Sequence, residues 1–199
     1  MDIKYHESYK PGSTRYFVMH HTGGVNDDAL ARTQRLTAEH IDNAHRQRWN
    51  FQSSLGRFGG YNFYIEKYGK VTQFRAIGEE TAHTKGYNYD GIAIGICLAG
   101  NFLSDERPTP EQLLALKNLM QQLPSVNVYN VVPHRYLQPT ECNALPDDWG
   151  RKLYIEVIGE KLNVLMQVLI KILDILRSRK MGIKVGAQYP DCLLLDTKG

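Results

Sequence analysis

His134 and Cys142 bracket the stretch His-Arg-Tyr-Leu-Gln-Pro-Thr-Glu-Cys in a chain of 199 residues. Both residue types ligate zinc, but a spacing of eight does not put them on one helix face as an i, i+4 pair would. Pro139 between them argues against a helix, so the pair is expected on a loop. A third ligand is needed to make a site. It can come from the end of the apolar run YFVMH (16–20), where His20 and His21 stand side by side. Successive strand residues point to opposite faces, so only one of the two can join the site. Two imidazoles and a thiolate leave the fourth tetrahedral position of zinc open to water, which is the composition of a catalytic centre. Such a metal lowers the pKa of bound water to about 7 and polarises a substrate carbonyl. Taken singly, each residue has a blander reading as an exposed His or an inert thiol.

The elements that must bring these residues together follow from the local patterns. YFVMH is a short run of β-formers stopped by HHTGG, and LTAEHIDNAHRQRW (36–49) reads as a helix capped by Thr37. GGYNFYIEKYGKVTQFR alternates on both sides of Tyr68-Gly69, as two strands joined by a tight turn. GIAIGICLAG (91–100) is apolar on both faces, a buried strand with Cys97 in its core. TPEQLLALKNLMQQL is a helix with Thr109 as cap, Pro110 in the first turn and Gln112 completing a capping box. VYNVV (128–132) is the expected last strand. The fold class is therefore α/β, a central mixed β-sheet flanked by helices. His20 closes one strand, Tyr61 opens another, His83 precedes a third and His134 follows a fourth, so one rim of the sheet can gather them all.

Composition narrows the classes. Hydrophobic residues make up 42% and charged ones 23%, an ordinary globular balance with no repeat or low-complexity tract. Three cysteines cannot all pair, so reduced thiols are expected. The net charge of +3 is uneven: from Arg151 onward nine Lys/Arg face five Asp/Glu, against 15 and 16 before it. Over the first 150 residues no basic, aromatic-interleaved surface points to nucleic acid. MDIKYHESYK has no apolar core of the signal-peptide kind, and no run reaches the roughly 18 apolar residues of a membrane span, so a cytoplasmic start is expected.

In this setting FVMHHT, GGYNFYI, AHTKGYN with GIAIGICLAGNF, and PHRYLQPTEC, in that order, resemble the zinc-dependent N-acetylmuramoyl-L-alanine amidases of the type-2 family, which includes phage endolysins and peptidoglycan recognition proteins. The resemblance covers about residues 12–150. It implies Zn2+ held by His20, His134 and Cys142, with Tyr61 moving protons or orienting water and Thr140 stabilising the oxyanion. It also implies His83, and with it Lys85 and Asn88 on the same loop, as contacts to peptidoglycan, while Asn62 departs from the His of several phage relatives. The implied activity is hydrolysis of the amide between N-acetylmuramic acid and L-alanine. The implied setting is a phage or prophage endolysin kept in the bacterial host cytoplasm until lysis. A non-catalytic peptidoglycan-binding module and a zinc peptidase acting on the stem peptide are the alternatives.

The division expected is an amidase domain over 1–150 and a helical, basic C-terminal extension over 151–199. In EKLNVLMQVLIKILDILRSRK (160–180) the polar residues form one narrow stripe on an otherwise apolar helix. Packing against its own domain, a homodimer through this helix and peripheral membrane contact are its three readings, and the first two together are favoured.

Overall fold

The computed structural model describes residues 1–23, 37–103, 107–140, 142 and 145–180. Its strands are β1 (Tyr16–His21), β2 (Phe63–Ile65), β3 (Val71–Gln73), β4 (Ala93–Leu98) and β5 (Val131–Pro133). They form one sheet in the order β3-β2-β4-β1-β5. β1 pairs in parallel with β4 and β5, β4 in parallel with β2, and β2 antiparallel with β3. The mixed α/β sheet expected from the sequence is present, and its hairpin turns where expected, with Gly69 at a φ of 79°.

The helices are α1 (Ala38–Trp49), α2 (Pro110–Gln122), the single turn α3 (His134–Leu137) and α4 (Trp149–Lys180). Thr37 caps α1 by accepting from the His40 N–H. At α2 the capping box closes in both directions, and the Gln112 side-chain amide also donates to the carbonyls of Ile65 (3.2 Å) and Ala99 (2.9 Å). The cap therefore pins the helix to the sheet as well as starting it.

The two-residue period of the strands sorts side chains between two layers. Phe17, Met19, Phe63, Ile65, Ile94, Ile96 and Leu98 pack with Leu116 and Met120 of α2 and Leu153, Tyr154 and Val157 of α4. On the opposite face, Tyr64, Phe74, Cys97 and Ala99 pack with Ala38 and Ile41 of α1. Even-numbered His20 belongs to this second face, as do Gly95 and Cys97 by their register on β4. Gly150 lets α4 approach, since a Cβ there would meet Met19 Cγ at 3.1 Å and Val131 Cγ1 at 3.3 Å.

Two local expectations are corrected. The last strand is only Val131–Pro133, because Asn127 accepts from the Tyr129 N–H and folds Val128–Asn130 into a 3-10 turn. The segment after His134 is not wholly loop: one helical turn fits before Pro139, whose ring constrains only the residues next to it.

The chain divides into two compact units, Met1–Gly159 and Glu160–Gly199. The expected boundary near residue 150 falls at the start of α4, whose first turns supply Leu153, Tyr154 and Val157 to the core. In the second unit the large apolar side chains between Leu162 and Leu176 are 44–64% exposed. Among the described residues no helix is long and apolar enough to cross a membrane. The basic tail beyond Lys180, with Cys192, lies outside the described residues.

Candidate metal centre

β1 delivers His20 to the α1 face of the sheet with 1% of its surface exposed. The next residue, His21, turns to the other side, where its Nδ1 accepts from the Phe102 N–H (2.9 Å) and its ring stacks on Phe102 at 5.6 Å. That separates the two candidates, and His20 is the one beside the other ligands. Its ring lies 4.4 Å from that of His134, and its Nδ1 is 3.6 Å from Cys142 Sγ. Ligand atoms of His20, His134 and Cys142 all lie within 4.8 Å of one another.

These spacings suit a tetrahedral ion. Zinc bonds of about 2.1 Å to nitrogen and 2.3 Å to sulfur place N and S ligands roughly 3.6 Å apart. The second nitrogens are also engaged. Pro133 starts α3 at His134, and four residues later Gln138 Oε1 sits 2.8 Å from His134 Nε2, leaving Nδ1 as the ligand atom. The Gln138 amide donates in turn to the Lys85 carbonyl at 3.4 Å. Arg135 holds the returning chain through Asp147 and the Leu145 carbonyl, while Cys142 N–H donates to Thr140 Oγ1 at 3.2 Å.

Burial sets the protonation states. It lowers the pKa of His20 well below the usual value, with His83, His134 and His21 adding to the shift, and it also lowers that of His134. Both rings are therefore neutral near pH 7 and keep a lone pair for a metal. Burial pushes the Cys142 thiol up to about 11 against the opposing effects of the His21 backbone and Arg135. A cation supplies what this thiol lacks, because metal coordination stabilises the thiolate.

The cleft over these residues has a volume of about 520 Å³ and is walled by Tyr61, His83, Thr140, Arg48, Trp49 and Leu103 as well as by the three candidate ligands. The Tyr61 ring stands 5.1 Å from His20 at the cleft wall. Burial, then the nearby Cys97 and Cys142, raise its pKa well above the ordinary phenol value. Thr140 is exposed at the rim.

The loop residues fall differently. His83 lines the cleft but is only 5% exposed, and its Nδ1 lies 3.2 Å from His20 Nε2. The Asn88 carboxamide oxygen accepts from Thr81 Oγ1, His83 N and Thr84 N, so it shapes the loop. Lys85 is exposed, and neither it nor Asn88 is among the described residues lining the cleft. Asn62 bridges the sheet instead of facing the cleft, accepting from Gly95 N at 2.9 Å and donating to Ala76 O at 3.4 Å.

The sequence profile of the family described as N-acetylmuramoyl-L-alanine amidase matches residues 10–148, most of the first compact unit. The chain belongs to this amidase family. Among solved structures, it is similar to the N-acetylmuramoyl-L-alanine amidase LysC from Clostridium intestinale URNW, at 30% identity over 82% of this chain and 95% of that one, with a TM-score of 0.50. The endolysin amidase LysCS from the same organism is 31% identical over 82% and 89% of the two chains, with a TM-score of 0.50. Drosophila peptidoglycan recognition protein SA is 26% identical over 69% and 76%, also at 0.50. Comparison with curated proteins gives no match. The amidase likeness thus extends across both the sheet and the cleft that holds the His-His-Cys group.

Gln138 and Gly95 were not singled out from the sequence, and Cys97 was read only as a core residue of its strand. Gln138 follows His134 by four, a visible signal once the intervening turn is known to be helical. Gly95 interrupts an apolar strand, a pattern that marks close approach of another group.

Proposed function

We propose that this amidase is a zinc-dependent hydrolase of the bond between N-acetylmuramic acid and L-alanine in peptidoglycan, acting as a phage or prophage endolysin. The observation that carries the reading is the convergence of His20, His134 and Cys142 at ligand spacing on the floor of an open cleft. Zinc held by these three would polarise the scissile carbonyl and activate water near neutral pH.

The chain's own residues supply the remainder. Thr140 Oγ1 already accepts the Cys142 N–H, so its hydroxyl proton is free to donate to the oxygen that gains charge in the transition state. Tyr61, kept in its protonated form by burial, walls the same cleft and is the group for proton movement toward the leaving amine. Gln138 fixes the His134 ring so that its ligand nitrogen stays aimed inward. In the endolysin setting the protein would remain in the host cytoplasm until lysis exposes the wall.

Mass spectrometry of wall digested by the zinc-loaded protein tests this reading. Glycan strands released together with intact stem peptides carrying a free L-alanine amine are expected. Fragments cut within the stem peptide would make it a peptidase, and an unaltered wall that nevertheless retains the protein would make it a binding module.

A further inference from the structure

His83, expected to meet substrate, lines the cleft with 5% of its surface exposed and also pairs with a candidate metal ligand, His20. We infer that His83 is a positioning residue for the metal centre: its Nδ1 accepts a hydrogen bond from the Nε2–H of His20 and so holds the His20 ring with Nδ1 toward the metal. This rests on the metal-centre reading above and extends it to the support of that centre.

Three features carry the inference. The first is the pairing itself, His20 Nε2 to His83 Nδ1 at 3.2 Å, on the opposite side of the His20 ring from Cys142 Sγ, which is 3.6 Å from Nδ1. An imidazole that ligates through Nδ1 carries its proton on Nε2, and a buried N–H needs an acceptor. The second is the seat built for the acceptor. A Cβ on Gly95 would lie 2.5 Å from Cγ and Cδ2 of His83 and 2.8 Å from its Nδ1, so the ring occupies the space that any other residue on β4 would fill. The third is the loop. Asn88 Oδ1 accepts from His83 N at 3.2 Å and Thr84 N at 2.8 Å, and Ala82 N donates to Gly60 O at 2.9 Å, fixing the backbone on both sides of His83.

The arrangement also specifies a tautomer. With Nδ1 of His83 as acceptor, its own proton sits on Nε2, which is buried and makes no hydrogen bond to the described residues. The competing partner is Thr84 Oγ1, 2.8 Å from the same Nδ1. If Nδ1 carried the proton and donated it to Thr84, it could not receive one from His20.

The test uses the full chain loaded with Zn2+, with zinc affinity read by chelator competition and histidine tautomers by 15N-detected NMR. In the wild type, His20 should carry its proton on Nε2, protected from exchange, and His83 should be the Nε2–H tautomer. His83→Ala should lower zinc affinity about 10- to 100-fold and expose the His20 proton to exchange. His83→Asn, whose Oδ1 can stand in for Nδ1 as an acceptor, should recover most of that affinity. Gly95→Ala removes no polar atom but displaces the ring, and should reproduce the His83→Ala loss. Unchanged zinc affinity in His83→Ala, or a zinc-loaded wild type with the His83 proton on Nδ1, overturns the inference while leaving the metal centre intact. A wild-type chain that takes up no zinc overturns both.

Discussion

The residues of the cleft divide into those that hold the reacting centre and those that act on the substrate, and variants should separate the two groups. Thr140 and Tyr61 line the cleft without belonging to the His-His-Cys group. Removing an oxyanion donor costs on the order of 100- to 1000-fold in kcat, and losing a proton-transfer group costs a similar factor. Thr140→Ala and Tyr61→Phe are therefore expected to retain zinc and the native fold while turnover of a muramyl-peptide substrate falls by about 100-fold or more. Full turnover in both variants would remove them from the mechanism, and loss of zinc in either would move it into the metal's ligand shell. Thr140 was legible only through resemblance, since an exposed Thr two residues before a Cys carries no signal of its own. Strand alternation showed that only one of His20 and His21 could join the site, the resemblance pointed to His20, and the contact of His21 with Phe102 accounts for its turning away.

At the scale of elements, the cleft wall depends on how α1 is joined to the chain entering β2. Asp42 Oδ1 accepts from Phe58 N (2.7 Å) and Gly59 N (2.9 Å), and His45 Nδ1 accepts from Gly60 N (2.9 Å). Burial lowers the His45 pKa to about 4, with Arg48 adding to the shift and Asp42 opposing it. The unfolded chain binds a proton at this side chain near pH 6.5, whereas the folded chain resists until about pH 4. The stabilisation is thus complete above pH 6.5 and is lost as pH falls from 6.5 toward 4, by on the order of 1–2 kcal/mol once partial exposure is discounted. His45→Asn keeps an acceptor for Gly60 but cannot titrate, so urea midpoints should fall less between pH 7 and pH 5 than in the wild type. Equal falls would show that His45 plays no part in the acid limb.

The same scale shows where sequence patterns suffice. Caps at Thr37 and Thr109, the Tyr68-Gly69 hairpin and the buried β4 run are local features, and each stands where its residues place it. The shortened β5 escaped because Asn127 offers its own side chain to the backbone, an alternative that the β-forming residues of VYNVV conceal. His83 was named through the resemblance, but its burial was hidden for a different reason. A loop histidine is usually exposed, and only the glycine 12 residues later on a paired strand reveals that a ring is seated there.

For the molecule as a whole, the second unit adds a property that the amidase unit does not require. Eleven large apolar residues from Leu162 to Leu176 are exposed around the helix, and a surface of this kind is not stable in water as a lone helix. We expect it to be covered by the same helix of a second copy, giving a homodimer. Light scattering at micromolar concentration should show a dimer that Leu165→Lys combined with Ile172→Lys converts to monomer. A wild-type monomer unaffected by lipid would reject both self-association and membrane contact. The measurement that bears most directly on the account concerns the metal. Elemental analysis of the purified full chain should find about one zinc per chain in the wild type and in His21→Asn, which preserves an acceptor for Phe102, and almost none in His20→Ala, His134→Ala or Cys142→Ala. Full zinc in any of those three, or its loss from His21→Asn with the fold intact, would contradict the centre described.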